Sequence, residues 1–317
     1  MNVKLRDILI VTKARVRHHK FYIKELLYRT RIRKAPKFFI IHYGDSQSCG
    51  WTVWERVVLY NSIYAVDNGM IPVIDMQTRW NIYLEENEVG KVNSWDKFYR
   101  QPMDINLEDA IQSDDYEEGS FSQEWFNYIR SRKICLKDNE YLRSCYQRYI
   151  RYNEKTEQRL KDSYANLLNS NGLNLNSRLV GICLRGSDYK QFHHMKQPPV
   201  EYLKNVIDKN SSILRFDGIY MATEDAVIMR DITEVFKGYK IISYKAGEID
   251  NSTGLIGRQI RQSKSADEAG FDYLFTLYAL NQCCSLIGGL CGATIVAKYK
   301  RSVPYEFIDI IDLKSRY

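Results

Sequence analysis

Short apolar runs recur along this chain, each ending in a polar or glycine-bearing turn and followed by residues at helical spacing, and that alternation leaves few folds open. The first run is F-F-I-I-H-Y after Lys37, closed by the loop Gly44-Asp45-Ser46-Gln47-Ser48-Cys49-Gly50. Residues 51–68 then place Trp54, Val57, Val58 and Tyr64 or Ala65 on one helical face, and Gly69 closes that helix before the strand Ile71-Pro72-Val73-Ile74-Asp75. Strand, helix and strand in this order predict a parallel sheet.

A second series begins at Leu179. It predicts strands over 179–184, 218–222, 239–243 and 285–289, and helices over 199–209, 226–236 and 293–299. After the polar loop 247–264, Ser265 and Glu268 have capping-box spacing, and Phe271, Leu274, Phe275, Tyr278 and Leu280 supply the buried side of a further helix. Between the two series lie helical stretches near 123–132 and 139–164, and the acidic run Asp114-Asp115-Tyr116-Glu117-Glu118 reads as a surface loop. The most linker-like segment, N-S-N-G-L-N-L-N-S over 169–177, sets the expected boundary between domains 1–170 and 171–317. The fold class implied is α/β, with two Rossmann-like domains.

The net charge of +7 is concentrated in residues 1–37, where lysines and arginines meet only Asp7 and Glu25. Interleaved Ile8, Leu9, Ile10, Val11, Phe21, Leu26 and Leu27 suit an amphipathic helix at a membrane surface or near a lipid-linked acceptor. A solvated basic helix packed on its own domain fits the same residues. No nucleic-acid motif accompanies the charge, so a nucleic-acid partner is not expected. The seven cysteines form no paired C-x-x-C array of the kind that holds zinc, and no apolar run approaches the ~18 residues of a membrane span. A cytoplasmic protein, peripheral on the inner membrane face at most, is the expectation.

In open α/β sheets ligands bind beyond the carboxyl ends of the strands. Three such tips stand out. Gly181-Ile182-Cys183-Leu184-Arg185-Gly186-Ser187-Asp188-Tyr189 delivers Arg185 and Asp188, and a guanidinium there can grip a phosphate and stabilise a departing diphosphate. Pairing of Arg185 with Asp188 or a helix end is the structural alternative. Ala222-Thr223-Glu224-Asp225 could meet a ribose or base, brace Arg185, or cap the next helix. Gly288-Gly289 could let backbone amides approach a pyrophosphate, or could simply turn the chain.

In order and spacing these three segments resemble the fucosyltransferase superfamily that includes the nodulation and core α1,6-fucosyltransferases and the protein O-fucosyltransferases. The likeness is nearest to bacterial surface-polysaccharide proteins reading roughly G-V-L-C-R-G-T-D-Y, H-x-x-Q-P, A-T-E-D and L-I-G-G. It extends to I-P-V-I-D-M-Q at 71–77, Tyr83-Leu84 and Val92-Asn93-Ser94-Trp95. The resemblance implies a GT-B glycosyltransferase with two domains facing a cleft, the acceptor on the N-terminal domain and the donor on the C-terminal one. The donor would be a nucleotide-sugar, GDP-fucose or a related GDP-sugar, and the acceptor a glycan or lipid-linked glycan. Transfer would be inverting and metal-independent, with no cofactor. Arg185 would bind the phosphate, and Glu224 and Asp225 would contact the nucleoside or brace Arg185.

The sequence also departs from the family pattern. Cys183 replaces a histidine, the paired arginine is single, Thr276 stands where several members carry an aspartate, and Cys291-Gly292 replaces a serine pair. Asp272, one turn before Thr276, presents a carboxylate on the same helical face. His194, in H-x-x-Q-P, could contact donor or acceptor. Asp45 and Asp75, each following a strand of the first domain, compete for the role of general base. A catalytically silent nucleotide- or glycan-binding relative is the alternative function.

Overall fold

The computed structural model describes residues 12–13, 15–17, 19–21, 23, 26, 37–42, 49–119, 139–186, 189, 193–245, 261 and 263–314. Backbone proximity divides the chain into two compact units, residues 1–49 with 53–156, and residues 50–52 with 157–317. The division falls inside a helix near residue 156, so that helix and the linker-like 169–177 segment group with the second unit.

The first unit is built on a three-stranded parallel sheet, ordered β2-β1-β3. Strand β1 (Phe38–Ile41) is apolar and wholly buried, helix α1 (Trp51–Asp67) follows, and β2 (Ile71–Ile74) returns beside β1 with Phe38 opposite Ile71. Pro72 has no N–H to donate, which an edge strand such as β2 tolerates. Two buried amides close the far end of β2. Gln101 exchanges hydrogen bonds with the Ile74 backbone at 2.8 and 3.2 Å, and Asn93 donates to Ile74 O at 2.7 Å. The V-N-S-W segment thereby anchors the loop after β2, with Asn93 capping the short helix α2 (Ser94–Phe98).

Helix α3 (Leu107–Gln112) leads into β3 (Tyr116–Gly119), which pairs in parallel with β1. The acidic run read as a loop is therefore mostly a strand. Tyr116, Glu117 and Glu118 are exposed on a sheet edge, where charge blunts pairing with other chains and where the apolar signature of a strand is lost. The stretch expected as one helix is two, α4 (Asn139–Tyr149) and α5 (Glu154–Ser170). Asn153 separates them by accepting the Thr156 amide at 2.8 Å, an N-cap. Buried Glu55 of α1 accepts hydrogen bonds from Tyr99 and from Tyr146, the latter at 2.6 Å, so this fully buried carboxylate is satisfied by phenols. The helix expected at 123–132 lies outside the described residues, as does most of the basic segment. Within that segment Phe21 is buried, and Arg15 and Arg17 reach Glu140 and Asp67, each at 3.4 Å. No helix among the described residues is long and apolar enough to cross a membrane.

The second unit carries a five-stranded parallel sheet ordered β6-β5-β4-β7-β8. Its strands are β4 (Leu179–Cys183), β5 (Gly218–Ala222), β6 (Ile241–Ser243), β7 (Ser285–Gly289) and β8 (Phe307–Ile311). Helices α6 (Val200–Lys209) and α7 (Ala226–Val235) connect the first three. They cover one face through Val180, Ile182, Leu203, Ile207, Ile219, Ile232 and Phe236. Each such side chain contributes about 1.5–3 kcal/mol when removed from water. The other face receives α8 (Ala266–Gln282), begun by the expected capping box of Ser265 and Glu268. It packs so closely that a Cβ on Gly181 would stand 3.1 Å from Leu280. Helix α9 (Gly292–Lys300) leads to β8, which sequence reading did not anticipate. F-I-D-I-I is a half-exposed edge strand, and its central aspartate breaks an otherwise apolar run.

Candidate functional site

The strand order of the second unit reverses at β4, which pairs with β5 on one side and β7 on the other. The crevice beyond the carboxyl ends of β4 and β7 is thus the topological switch point, where open α/β sheets bind their ligands. Arg185 lies two residues past the end of β4. Glu224, just past β5, accepts from Arg185 Nη1 at 3.1 Å through one carboxylate oxygen and from the Gly186 amide at 2.9 Å through the other. The ion pair is mostly covered, its side chains 20% and 14% exposed, so the fork is held in a fixed direction in a partly desolvated setting.

Gln197 ties the two strand tips together. Its Oε1 accepts the Arg185 amide at 3.1 Å while its Nε2 donates to Leu290 O at 3.4 Å, just beyond β7. The Tyr189 ring lies 5.4 Å from the Arg185 guanidinium, and exposed His194 packs against Tyr189 at 4.9 Å. Burial pushes the Tyr189 hydroxyl well above the ordinary phenol range, aided by Cys291 and opposed by Arg185. Tyr273 of α8 completes this group. Its hydroxyl lies 3.0 Å from Thr52 Oγ1, and its pKa is raised by burial and drawn back by the charge of Arg185. Thr52 and Tyr273 escaped sequence reading because 221 residues separate them and no spacing rule connects them.

Other expected site residues have different neighbours. Asp225 caps α7, accepting from Val227 and Ile228 amides at 2.8 and 3.2 Å, while Glu224 pairs with the arginine. Gly288 and Gly289 are the last residues of β7, not an open cradle. A Cβ at Gly288 would fall 2.2 Å from Cys183 O, and one at Gly289 would fall 2.2 Å from Gln197 Oε1, so both spaces are filled by protein. Asp272 accepts from Tyr244, Lys245 and Lys264 at 2.7–2.9 Å. Burial alone would raise its pKa, but these donors outweigh it and hold the carboxyl below its usual range. Thr276 turns its hydroxyl back to Asp272 O at 3.1 Å. In the first unit, Asp75 organises its own loop, with Oδ1 accepting the Gln77 and Thr78 amides at 2.9 and 3.0 Å and Oδ2 accepting the Thr78 hydroxyl at 2.5 Å. Asp45 and Asp188 lie outside the described residues. Among the described residues no group of three or more His, Cys, Asp or Glu side chains converges as a metal site.

No protein-family model matches the chain, and no curated protein matches it in sequence. Among solved structures, the fucosyltransferase NodZ from Bradyrhizobium aligns over 90% of this chain and 97% of its own, with a TM-score of 0.50 and 14% identity. The chain shares that protein's fold. The α/β class with two parallel sheets, expected as GT-B, is the one observed. NodZ α1,6-fucosyltransferase co-crystallised with GDP aligns over 80% of this chain and 88% of its own, at a TM-score of 0.45 and 14% identity. POFUT1 in complex with GDP-fucose aligns over 88% and 99%, at 0.44 and 12% identity. At such identities the likeness concerns the fold, and the chemistry has to be argued from the residues at the switch point.

Proposed function

We propose that this protein is a glycosyltransferase that moves fucose or a related sugar from a GDP-sugar to a cell-surface polysaccharide or glycolipid acceptor. The observation that carries the reading is the guanidinium of Arg185, held by Glu224 at the switch point of the second sheet. It is supported by the order of G-I-C-L-R-G-S-D-Y, A-T-E-D and L-I-G-G along the sequence. An acceptor hydroxyl attacks the anomeric carbon from the face opposite the diphosphate, and the bond to the diphosphate oxygen breaks with inversion. Negative charge then grows on the leaving phosphate, and Arg185 offsets it without a metal. Glu224 contributes by fixing the arginine before the charge develops, so little reorganisation is needed in the transition state.

The acceptor proton passes to a carboxylate. Asp45 is preferred for that role because both oxygens of Asp75 are already engaged by Gln77 and Thr78. Asp45→Asn is therefore expected to lower kcat about 10²-fold or more, whereas Asp75→Asn lowers it less and mainly loosens its loop. The opposite order would transfer the assignment to Asp75.

A thermal-shift panel of GDP, UDP, CDP, ADP, ATP and their sugars, with and without EDTA, tests the donor. GDP and GDP-fucose are expected to raise Tm most, unaffected by chelator, because a ligand bound only by the folded state stabilises it by mass action. A preference for ATP, or a strict metal requirement, would overturn the reading. Binding of GDP-sugars without turnover on any acceptor would favour the silent relative, which the single arginine at the β4 tip brings into consideration.

A further inference from the structure

Two departures from the family pattern, Cys183 and Cys291, are 108 residues apart in sequence and 3.9 Å apart at sulfur. Cys183 is the last residue of β4, and Cys291 immediately precedes α9. The parallel pairing of β4 with β7 places Cys183 opposite Gly288 and so holds the two backbones together. Both thiols are free, and each is 3% exposed. Other buried cysteines of this unit have different company. Cys283 donates to Ala279 O and Cys284 to Leu179 O, at 3.3 and 3.2 Å, with no second sulfur opposed to them across the sheet.

We infer that Cys183 and Cys291 are a modification site: a small peroxide converts them reversibly into a disulfide that staples the β4 tip to the start of α9. The step balances as two thiols and one hydrogen peroxide giving one disulfide and two waters. The Cys291 sulfur attacks one peroxide oxygen, the O–O bond breaks, and the leaving hydroxide takes the thiol proton to become water. Cys183 sulfur then attacks the resulting sulfenic sulfur and displaces the hydroxyl as the second water, taking up Cys183's proton.

The geometry favours this division of roles. Cys291 has Thr294 Oγ1 3.5 Å from its sulfur, and its own amide donates to the same hydroxyl at 3.1 Å. Burial raises both thiols and Arg185 lowers both, but the Thr294 contacts belong to Cys291 alone and help hold its pKa below the usual thiol range. Bond formation requires the sulfurs to close from 3.9 Å to about 2.0 Å. Crosslinking would reposition the first turn of α9 beside Arg185. Its effect on nucleotide binding rests on the reading given above, but bond formation itself does not.

The test uses the full chain, reduced with dithiothreitol, exposed to hydrogen peroxide, blocked with an alkylating agent and mapped by peptide mass spectrometry without reduction. The expected result is a Cys183–Cys291 linked peptide lighter by two hydrogens than the two thiol peptides, reversed by dithiothreitol and absent from Cys183→Ser and Cys291→Ser variants. Sulfinic acid at Cys291 with Cys183 still alkylated, no oxidation at either residue, or pairing with another cysteine would each overturn the inference. GDP thermal shifts on the mapped oxidised and reduced forms then read the functional effect, with at least a threefold weaker GDP affinity expected after oxidation. Equal affinity would remove the regulatory consequence, and no GDP binding in either form would count against the donor reading while leaving the peptide map to decide the disulfide.

Discussion

Arg185→Ala is expected to lower kcat/KM for sugar transfer about 10³-fold, roughly 4 kcal/mol of transition-state stabilisation. The size follows from placement. The guanidinium is mostly covered, its direction is fixed by a 3.1 Å contact with Glu224, and the amide of the next residue shares the same carboxylate. A charge held this way acts on a developing phosphate anion with far less screening than a surface cation would. Arg185→Lys should recover little, because a compact ammonium cannot keep the Glu224 contact and also present a planar fork to phosphate. Removing the arginine also takes one charged partner from Glu224, so the variant's melting must be followed, and Arg185→Ala/Glu224→Ala provides the control in which that carboxylate is removed as well. If the double variant folds and still transfers sugar at the parent rate, the proposed mechanism fails.

Gly288→Ala should be the most destabilising single-methyl change at the site. The new carbon would lie 2.2 Å from the carbonyl oxygen of Cys183 and 3.1 Å from its carbonyl carbon, both backbone atoms of the neighbouring strand. No side-chain rotation relieves such a contact. Strands β4 and β7 would have to part at the centre of the sheet, where the ladder registers Cys183 against Gly288. A cost of about 3 kcal/mol or more is expected, or a fall in Tm of about 6–12 °C for a unit of this size. Gly289→Ala should cost less, since its obstacle is the end of the flexible Gln197 side chain. Equal melting of Gly288→Ala and the parent protein would show that the two strands are not packed as described.

Much of the architecture was legible in the chain because local physics expresses it. The buried strands β1, β4, β5 and β7 read as apolar runs, the capping box of Ser265 and Glu268 marked the start of α8, and the alternation of elements required parallel sheets. Legibility failed at two of the four edge strands. Strands β3 and β8 carry acidic or mixed residues because only one side of each is paired, and Asn153 interrupts α4–α5 through a cap that looks like any other asparagine in sequence.

At the site the same distinction holds. Sequence by itself determined that an arginine and a carboxylate pair would sit just past strand ends and a glycine pair at the end of a third strand, since strand periodicity sets where each strand stops. Only tertiary structure decided that Glu224 holds Arg185 while Asp225 caps α7, that Gln197 joins two strand tips, that Gly288 makes room for a neighbouring carbonyl, and that Cys183 faces Cys291. The physical reason is that periodicity and capping act over a few residues, whereas these contacts depend on which strands become neighbours, and strand order is settled by burial of the whole sheet rather than by any one segment.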